Sequence, residues 1–371
     1  MKKLFFLFGI LFLGLILSGW GYKGHRIISS NAANSFPTTL SFLKPNWTNI
    51  VTNYASEADY RKDTDPTEAP RHYINIDGYP EFLLNGAISQ SLDTNILLHG
   101  CSFVLDHGII PWATLATFDS LRACFERHDW LKSALFAADL GHYVGDGHQP
   151  LHITENYNGQ FTGQDGIHSR YESSMISRNE SQLVYPSDTV HFIANVKNYI
   201  FSYIYFNHLY VDSILMADLA AKSIAGNTTS TAYYQAMWDK TGAFTIDLLR
   251  RGSNSLADLI YTAWVQAGSP VFYPLAVEET TRASDSLALH NFPNPCYGQT
   301  TIEYEVYDGK TPVTILIYDP SGKLKNTLVN QVQETGRYRL IWNADHCETG
   351  IYLCVLKSGS QTVTRKIALI R

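Results

Sequence analysis

Apolar residues recur at three- and four-residue spacing through 119–149, 187–206, 208–225 and 231–267. That is the period of helices burying one face. Pro150 predicts the end of the helix that carries His142 and Asp146, because its ring removes a backbone donor and crowds the preceding turn. Few alternating β-branched runs interrupt residues 20–268, so this stretch reads as mostly α. Beyond it the period drops to two. TTIEYEV, VTILIYD, GRYRLIW and GIYLCVLKSG alternate apolar and polar positions between Gly, Asn, Asp and Pro turns, which predicts a small C-terminal antiparallel β-sandwich. Residues 269–287 are polar and without period, and read as a linker.

The amino-terminal pattern is different again. Lys2 and Lys3 precede an apolar run from Leu4 to Leu17, followed by Ser18 and Gly19. The run is short for a membrane span and has the layout of a signal peptide over 1–19, with cleavage placing Trp20 first. No cysteine follows it, which argues against a lipid anchor. The expected order is therefore signal peptide 1–19, helical domain 20–268, linker 269–287 and sandwich 288–371, in an exported protein.

Composition changes this picture little. Hydrophobic residues make up 45% and charged residues 17% of the 371, as in an ordinary folded chain. The net charge of −6 offers no basic footprint for duplex nucleic acid, although it leaves room for a nuclease that works through bound cations. Of the five cysteines, Cys101 and Cys124 could pair, as could two of Cys296, Cys347 and Cys354. None has zinc-finger spacing, so any metal must be held mainly by histidine and carboxylate.

Candidate ligands of that kind crowd into ADLGHYVGDGHQPLHI, residues 138–153. His142 and Asp146 are four apart on one helix and share a face, so both can reach one cation. The spacing recurs at His168 and Glu172 in GIHSRYESSM, and His152 follows just past Pro150. One such pair is commonly a surface hydrogen bond. Two pairs and an extra histidine within some thirty residues point to more than one divalent ion, with nitrogen and oxygen ligands that suit zinc. Eight of the thirteen histidines (99, 107, 128, 148, 191, 208, 290 and 346) read as structural or incidental. Among them His148 is expected to be exposed or to support a ligand.

With these residues in view, 20–268 resembles the superfamily of bacterial zinc-dependent phospholipases C and the single-strand-specific zinc nucleases of fungi and plants. The resemblance implies a helical domain with three Zn2+ ions. It also implies an N-terminal Trp whose freed amine and carbonyl bind zinc, which SGWGYKGH matches with Trp20 and His25. ASEAD supplies Asp59, RHYINID supplies His72, GHYVGDGHQPLH supplies His142, Asp146 and His152, and GIHSRYESSM supplies His168 and Glu172. By similarity, Asp59, His72, His142 and Asp146 would hold one zinc. His152, His168 and Glu172 would hold a second, and Trp20, His25 and a bridging Asp146 the third. Glu172 and ENYNGQFTGQDGIH look like the phospholipase branch, whereas the short spacing in WGYKGH looks nuclease-like.

The implied chemistry is hydrolysis of a phosphodiester by a metal-bridging hydroxide, with Asp59 and Asp146 as ligands in the reaction. Arg61 would stabilise the phosphate charge, with Lys62 as a substrate contact in the adjacent register. Tyr73, next to His72, is a substrate-pocket candidate. The favoured substrate is a phospholipid, and the alternative is single-stranded DNA or RNA cut to 5′-phosphate ends. A non-catalytic zinc-stabilised surface protein is the third possibility. The stretch from LHNFPNPCYG to GIYLCVLKSG resembles the C-terminal sorting domain of the type IX secretion system of Bacteroidetes. It implies that export machinery as a partner, and a secreted or cell-surface location reached through the periplasm.

Overall fold

The computed structural model describes residues 20–44, 46–271, 289–306, 309–319, 322–359 and 361–370. The expected signal peptide 1–19 and nearly all of the expected linker lie outside them. The chain forms two compact units, Met1–Tyr273 and Pro274–Arg371.

The first unit is helical. Its elements are α1 (Gly21–Ala32), α2 (Asn46–Asn53), α3 (Glu57–Arg61), α4 (Pro80–Asn85), α5 (Leu92–His99), α6 (Cys101–Asp106), α7 (Ile110–Glu126), α8 (Trp130–Gly147), α9 (Ile167–Ser169), α10 (Ile176–Arg178), α11 (Val196–His208), α12 (Val211–Ala225) and α13 (Thr231–Gln266). A π-helical turn, Arg170–Met175, joins α9 to α10.

Two sequence expectations need correction. The period through 119–149 belongs to two helices, α7 and α8, broken at His128, which takes φ 56°. Asp129 then caps α8 by accepting from Lys132 N–H at 3.2 Å. The period runs through the break because both helices face the same core. The stretch 187–206 is helical only from Val196. Ahead of it the chain is an extended strap whose backbone donors are taken by α13, His191 N–H to Asp258 (2.7 Å) and Ile193 N–H to Thr262 (2.9 Å). Side-chain acceptors there replace the helical ladder.

The carboxyl half of α8 is the centre of this unit. Every residue from Leu140 to Gly147 is buried, so neighbours must enclose the helix on all sides. Its glycines make that possible. A Cβ at Gly141 would lie 2.9 Å from both Leu256 of α13 and Ser29 of α1, one at Gly145 would lie 2.9 Å from His25, and one at Gly147 would lie 2.8 Å from Tyr203 of α11. Three helices therefore close on α8 where His142 and Asp146 project.

The second unit is a two-sheet sandwich of β1 (Leu289–Phe292), β2 (Cys296–Tyr297), β3 (Gln299–Val306), β4 (Thr311–Tyr318), β5 (Leu324–Gln333), β6 (Gly336–Asn343), β7 (Gly350–Ser358) and β8 (Gln361–Ile370). The sheets run β1-β3-β6 and β2-β8-β7-β4-β5. Val313, Ile315 and Ile317 alternate inward on β4 and pack with Trp342, Tyr352 and Leu356. The ladders are antiparallel, as expected, except the two-residue parallel pairing of β2 with β8. All five cysteines are free, which removes the disulfides considered from the sequence.

Gly141→Val should overpack the α1–α8–α13 junction and cost about 1–3 kcal/mol. The check is a lower denaturation midpoint for the helical unit.

Candidate metal centre

Six separate segments of the helical unit deliver the candidate ligands. His25 comes from α1 and Asp59 from α3. His72 ends a short 3-10 turn, His142 and Asp146 lie on α8, His152 closes the turn at Pro150, His168 lies on α9 and Glu172 within the π-helical turn that follows. None of the eight is more than 6% exposed.

Three of the histidines are oriented by the backbone. His142 Nδ1–H donates to Ala55 O (2.8 Å), His152 Nδ1–H to His72 O (2.7 Å) and His168 Nδ1–H to Tyr157 O (3.2 Å). Each bond fixes the tautomer and leaves the Nε2 lone pair for the cluster.

His142 Nε2 lies 3.0 Å from His72 Nδ1, 3.3 Å from Asp146 Oδ2 and 3.5 Å from Asp59 Oδ1. His72 Nδ1 is 3.0 Å from Asp146 Oδ2 and 3.7 Å from Asp59 Oδ1. Four donors about 2.0–2.1 Å from a tetrahedral ion would stand about 3.3 Å apart. The observed spacings fall on either side of that value. Glu172 Oε2 makes a second group, 3.4 Å from His152 Nε2 and 2.9 Å from His168 Nε2. Asp146 turns its other oxygen, Oδ1, to His25 Nε2 at 3.3 Å. Its two oxygens thus face different donor sets, and His25 also groups with Asp59 and His142.

Electrostatics and hydrogen bonding fit a cation here. Burial pushes the Asp146 carboxyl up, but His142 and His152 outweigh it and hold the group well below the usual carboxylate range. Asp59 is likewise held low against its burial by His142 and Lys62. Burial would lower His142, yet Asp146 and Asp59 carry it up to about 10. Two buried carboxylates side by side demand positive charge. Both ring nitrogens of His25, Asp146 Oδ1 and His168 Nε2 are buried without a hydrogen-bond partner, each costing about 1–3 kcal/mol unless satisfied. Divalent ions would satisfy one nitrogen of His25, Asp146 Oδ1 and His168 Nε2 together. Three buried His/Asp/Glu groups here could hold metal.

Other sequence candidates stand differently. Trp20 is fully buried, with its ring centroid 5.8 Å from that of Tyr171, and its carbonyl accepts from Gly24 N–H at 3.2 Å. The cleavage that would free its nitrogen concerns residues 1–19, outside the described residues. Lys62 places its ammonium 2.6 Å from Asp59 Oδ1, at the edge of the donor set. Arg61 is engaged by Asp139 (2.9 Å) and Glu68 (3.2 Å). Tyr73 is half-buried, and its hydroxyl donates to Asp106 O at 3.3 Å.

His148 is not exposed, and it joins none of the donor groups. Its Nδ1–H donates to Val144 O at 2.8 Å within a pocket against Tyr203, and burial lowers its pKa to about 4. At the end of α8 the enclosing helices bury it as they bury its neighbours.

The sequence reading overlooked the groups behind the ligands. Gln149 Nε2 donates to Glu172 Oε2 at 3.4 Å while its Oε1 accepts from Leu151 N–H at 2.8 Å. Glu68 is buried beside His72 and accepts a short hydrogen bond from the Tyr143 hydroxyl. The four-residue spacing of Glu68 and His72 was a usable signal, though Pro70 between them hides any helical period.

Residues 290–370 match the family described as the secretion system C-terminal sorting domain. The sandwich is thus the sorting tail of type IX secretion, and the protein is secreted or displayed at the cell surface. No curated protein sequence matches the chain. Among solved structures, "Alpha Toxin from Clostridium Absonum" is similar at 12% identity and a TM-score of 0.42, covering 96% of this chain and 97% of that one. The alpha-toxin of Clostridium perfringens from avian strain SWCP is similar at 11% identity and a TM-score of 0.45, covering 95% and 98%.

Asp146→Asn should lower the metal bound per chain, measured after dialysis against zinc, more than Asp59→Asn does. Asp146 faces two donor sets, and equal losses would refute that shared position. Deleting 288–371 should hold the protein in the periplasm without changing its metal content, as fractionation would show.

Proposed function

We propose that the protein is a secreted zinc-dependent phosphodiester hydrolase with three Zn2+ ions, acting on phospholipid as a phospholipase C-like enzyme. The observation that carries this reading is the convergence of buried, backbone-oriented imidazoles on carboxylates at tetrahedral donor spacing, with Asp146 facing two sets at once. Asp59, His72, His142 and Asp146 would hold one ion, and His152, His168 and Glu172 a second. His25, Asp146 and the processed amino terminus at Trp20 would hold the third.

Bound zinc supplies Lewis acidity toward a phosphoryl oxygen and lowers the pKa of bound water to about 7. The chain's own residues do the remainder. The outer hydrogen bonds of His142, His152 and His168 keep the imidazoles from turning as charge moves in the reaction. Lys62, beside Asp59, is the cation that would meet the negative charge on the phosphoryl oxygens. Arg61, engaged by Glu68 and Asp139, acts from behind the ligands instead. Tyr73 borders the substrate side.

Surface chemistry favours lipid over nucleic acid. From His72 to Leu121 the chain has no Lys or Arg, and α4, α5 and α6 expose Leu83, Leu84, Leu97, Leu98 and Leu105. Tyr73 bonds to the end of α6. A polyanionic strand would find no Lys or Arg to neutralise its phosphates along this segment, whereas an apolar interface suits it. Single-stranded DNA or RNA is the alternative substrate.

Purified protein assayed in parallel on phosphatidylcholine, phosphatidylethanolamine and single-stranded DNA should release phosphorylated headgroup from lipid. Chelation should abolish that activity and lower the melting temperature of the helical unit, since bound metal stabilises the folded state. Activity that survives the chelator would refute the proposal. Cleavage of DNA alone would select the nuclease.

A further inference from the structure

His72 differs from the other oriented histidines. They donate their outer proton to backbone carbonyls, whereas the outer nitrogen of His72 faces a carboxylate. Its Nδ1 turns inward, 3.0 Å from both His142 Nε2 and Asp146 Oδ2. Its Nε2 is buried and makes no hydrogen bond, with Glu68 Oε1 3.4 Å away.

Glu68 is itself 2% exposed and firmly held. The Tyr143 hydroxyl donates to Oε1, and Arg61 Nε donates to Oε2 at 3.2 Å. Arg61 is braced in turn by Asp139 Oδ1 at 2.9 Å. Asp139 and Tyr143 lie on α8 with His142 and Asp146, so one helix carries both inner donors and outer anchors. An acidic group buried this deeply normally has a task or a partner that requires its charge. Here it stands beside a donor histidine that, like His25, no carbonyl orients.

We infer that Glu68 is a positioning residue of the metal centre: it keeps the His72 proton on Nε2, so that the Nδ1 lone pair is directed at the set shared with Asp59, His142 and Asp146. A carboxylate behind a ligand imidazole fixes the ring and raises its basicity. Arg61 and Tyr143 keep that carboxylate turned to the ring, which gives Arg61 a place one layer behind the donors. The inference rests on the cluster being a metal centre.

The test uses the full chain and measures zinc affinity by competition with a chromophoric chelator. Glu68→Gln should weaken one ion roughly ten- to a hundredfold and leave the ion at His152, His168 and Glu172 unchanged. In a His72→Asn background the same change should add no further loss, because its effect passes through the ring. Nitrogen-15 spectra of labelled histidine in the zinc-loaded protein should show His72 protonated at Nε2, with His142, His152 and His168 protonated at Nδ1.

Wild-type affinity in Glu68→Gln, or an equal loss in both backgrounds, would overturn the role of Glu68 while leaving the metal centre standing. If Glu68→Gln does not fold, Tyr143→Phe should weaken the same ion a few-fold, and no change there would also overturn it. A wild-type chain that binds no zinc would refute the metal centre itself, and this role with it.

Discussion

The helical unit is organised around buried negative charge. Asp59, Asp146 and Glu172 lie almost out of reach of water, where an uncompensated carboxylate costs several kcal/mol. Each is brought within contact of imidazoles from other segments. The helices that enclose them therefore cannot be described as apolar packing alone. Their register has to bring nitrogen to oxygen.

That register depends on small residues. The glycines of α8 let α1, α11 and α13 approach where the donors project, and the Gly145 position faces His25 directly. Side chains at these positions would hold the neighbours away from His142 and Asp146. Close packing thus does two things at once. It removes water from the donor groups and brings His25 onto the free oxygen of Asp146.

Behind the donors stands a layer with its own logic. Carbonyls of Ala55, His72 and Tyr157 and the carboxylate of Glu68 each meet an outer nitrogen of a ligand candidate, while the amide of Gln149 bonds Glu172 Oε2 itself. His72 links the two layers, since its backbone orients His152 while its ring joins His142. The donors all come from the helical unit, and the sorting tail has a hydrophobic core of its own. Export and chemistry are thus assigned to different parts of the chain.

How much of this was legible beforehand follows from the range of each interaction. The His142–Asp146 and His168–Glu172 pairs are one helical turn apart, so spacing alone placed them on a common face. The alternating strands likewise announced the sandwich, because inward and outward positions are a local property of a strand. Asp59 and His72 lie some seventy residues or more from their partners on α8, and only family likeness suggested them. The exposed alternative for His148 fails because its burial is decided by α11 and α13 closing over the end of α8. The break at His128 was hidden because two helices facing one core share a single apolar rhythm. The sequence by itself determined which donors exist, the local pairs and the change from helix to strand, since these depend on neighbours along the chain. Tertiary structure alone decided that His25, His72 and His152 from three other segments meet Asp146 and that Glu68 stands behind His72, because such contacts depend on how the helices pack and no local period encodes that.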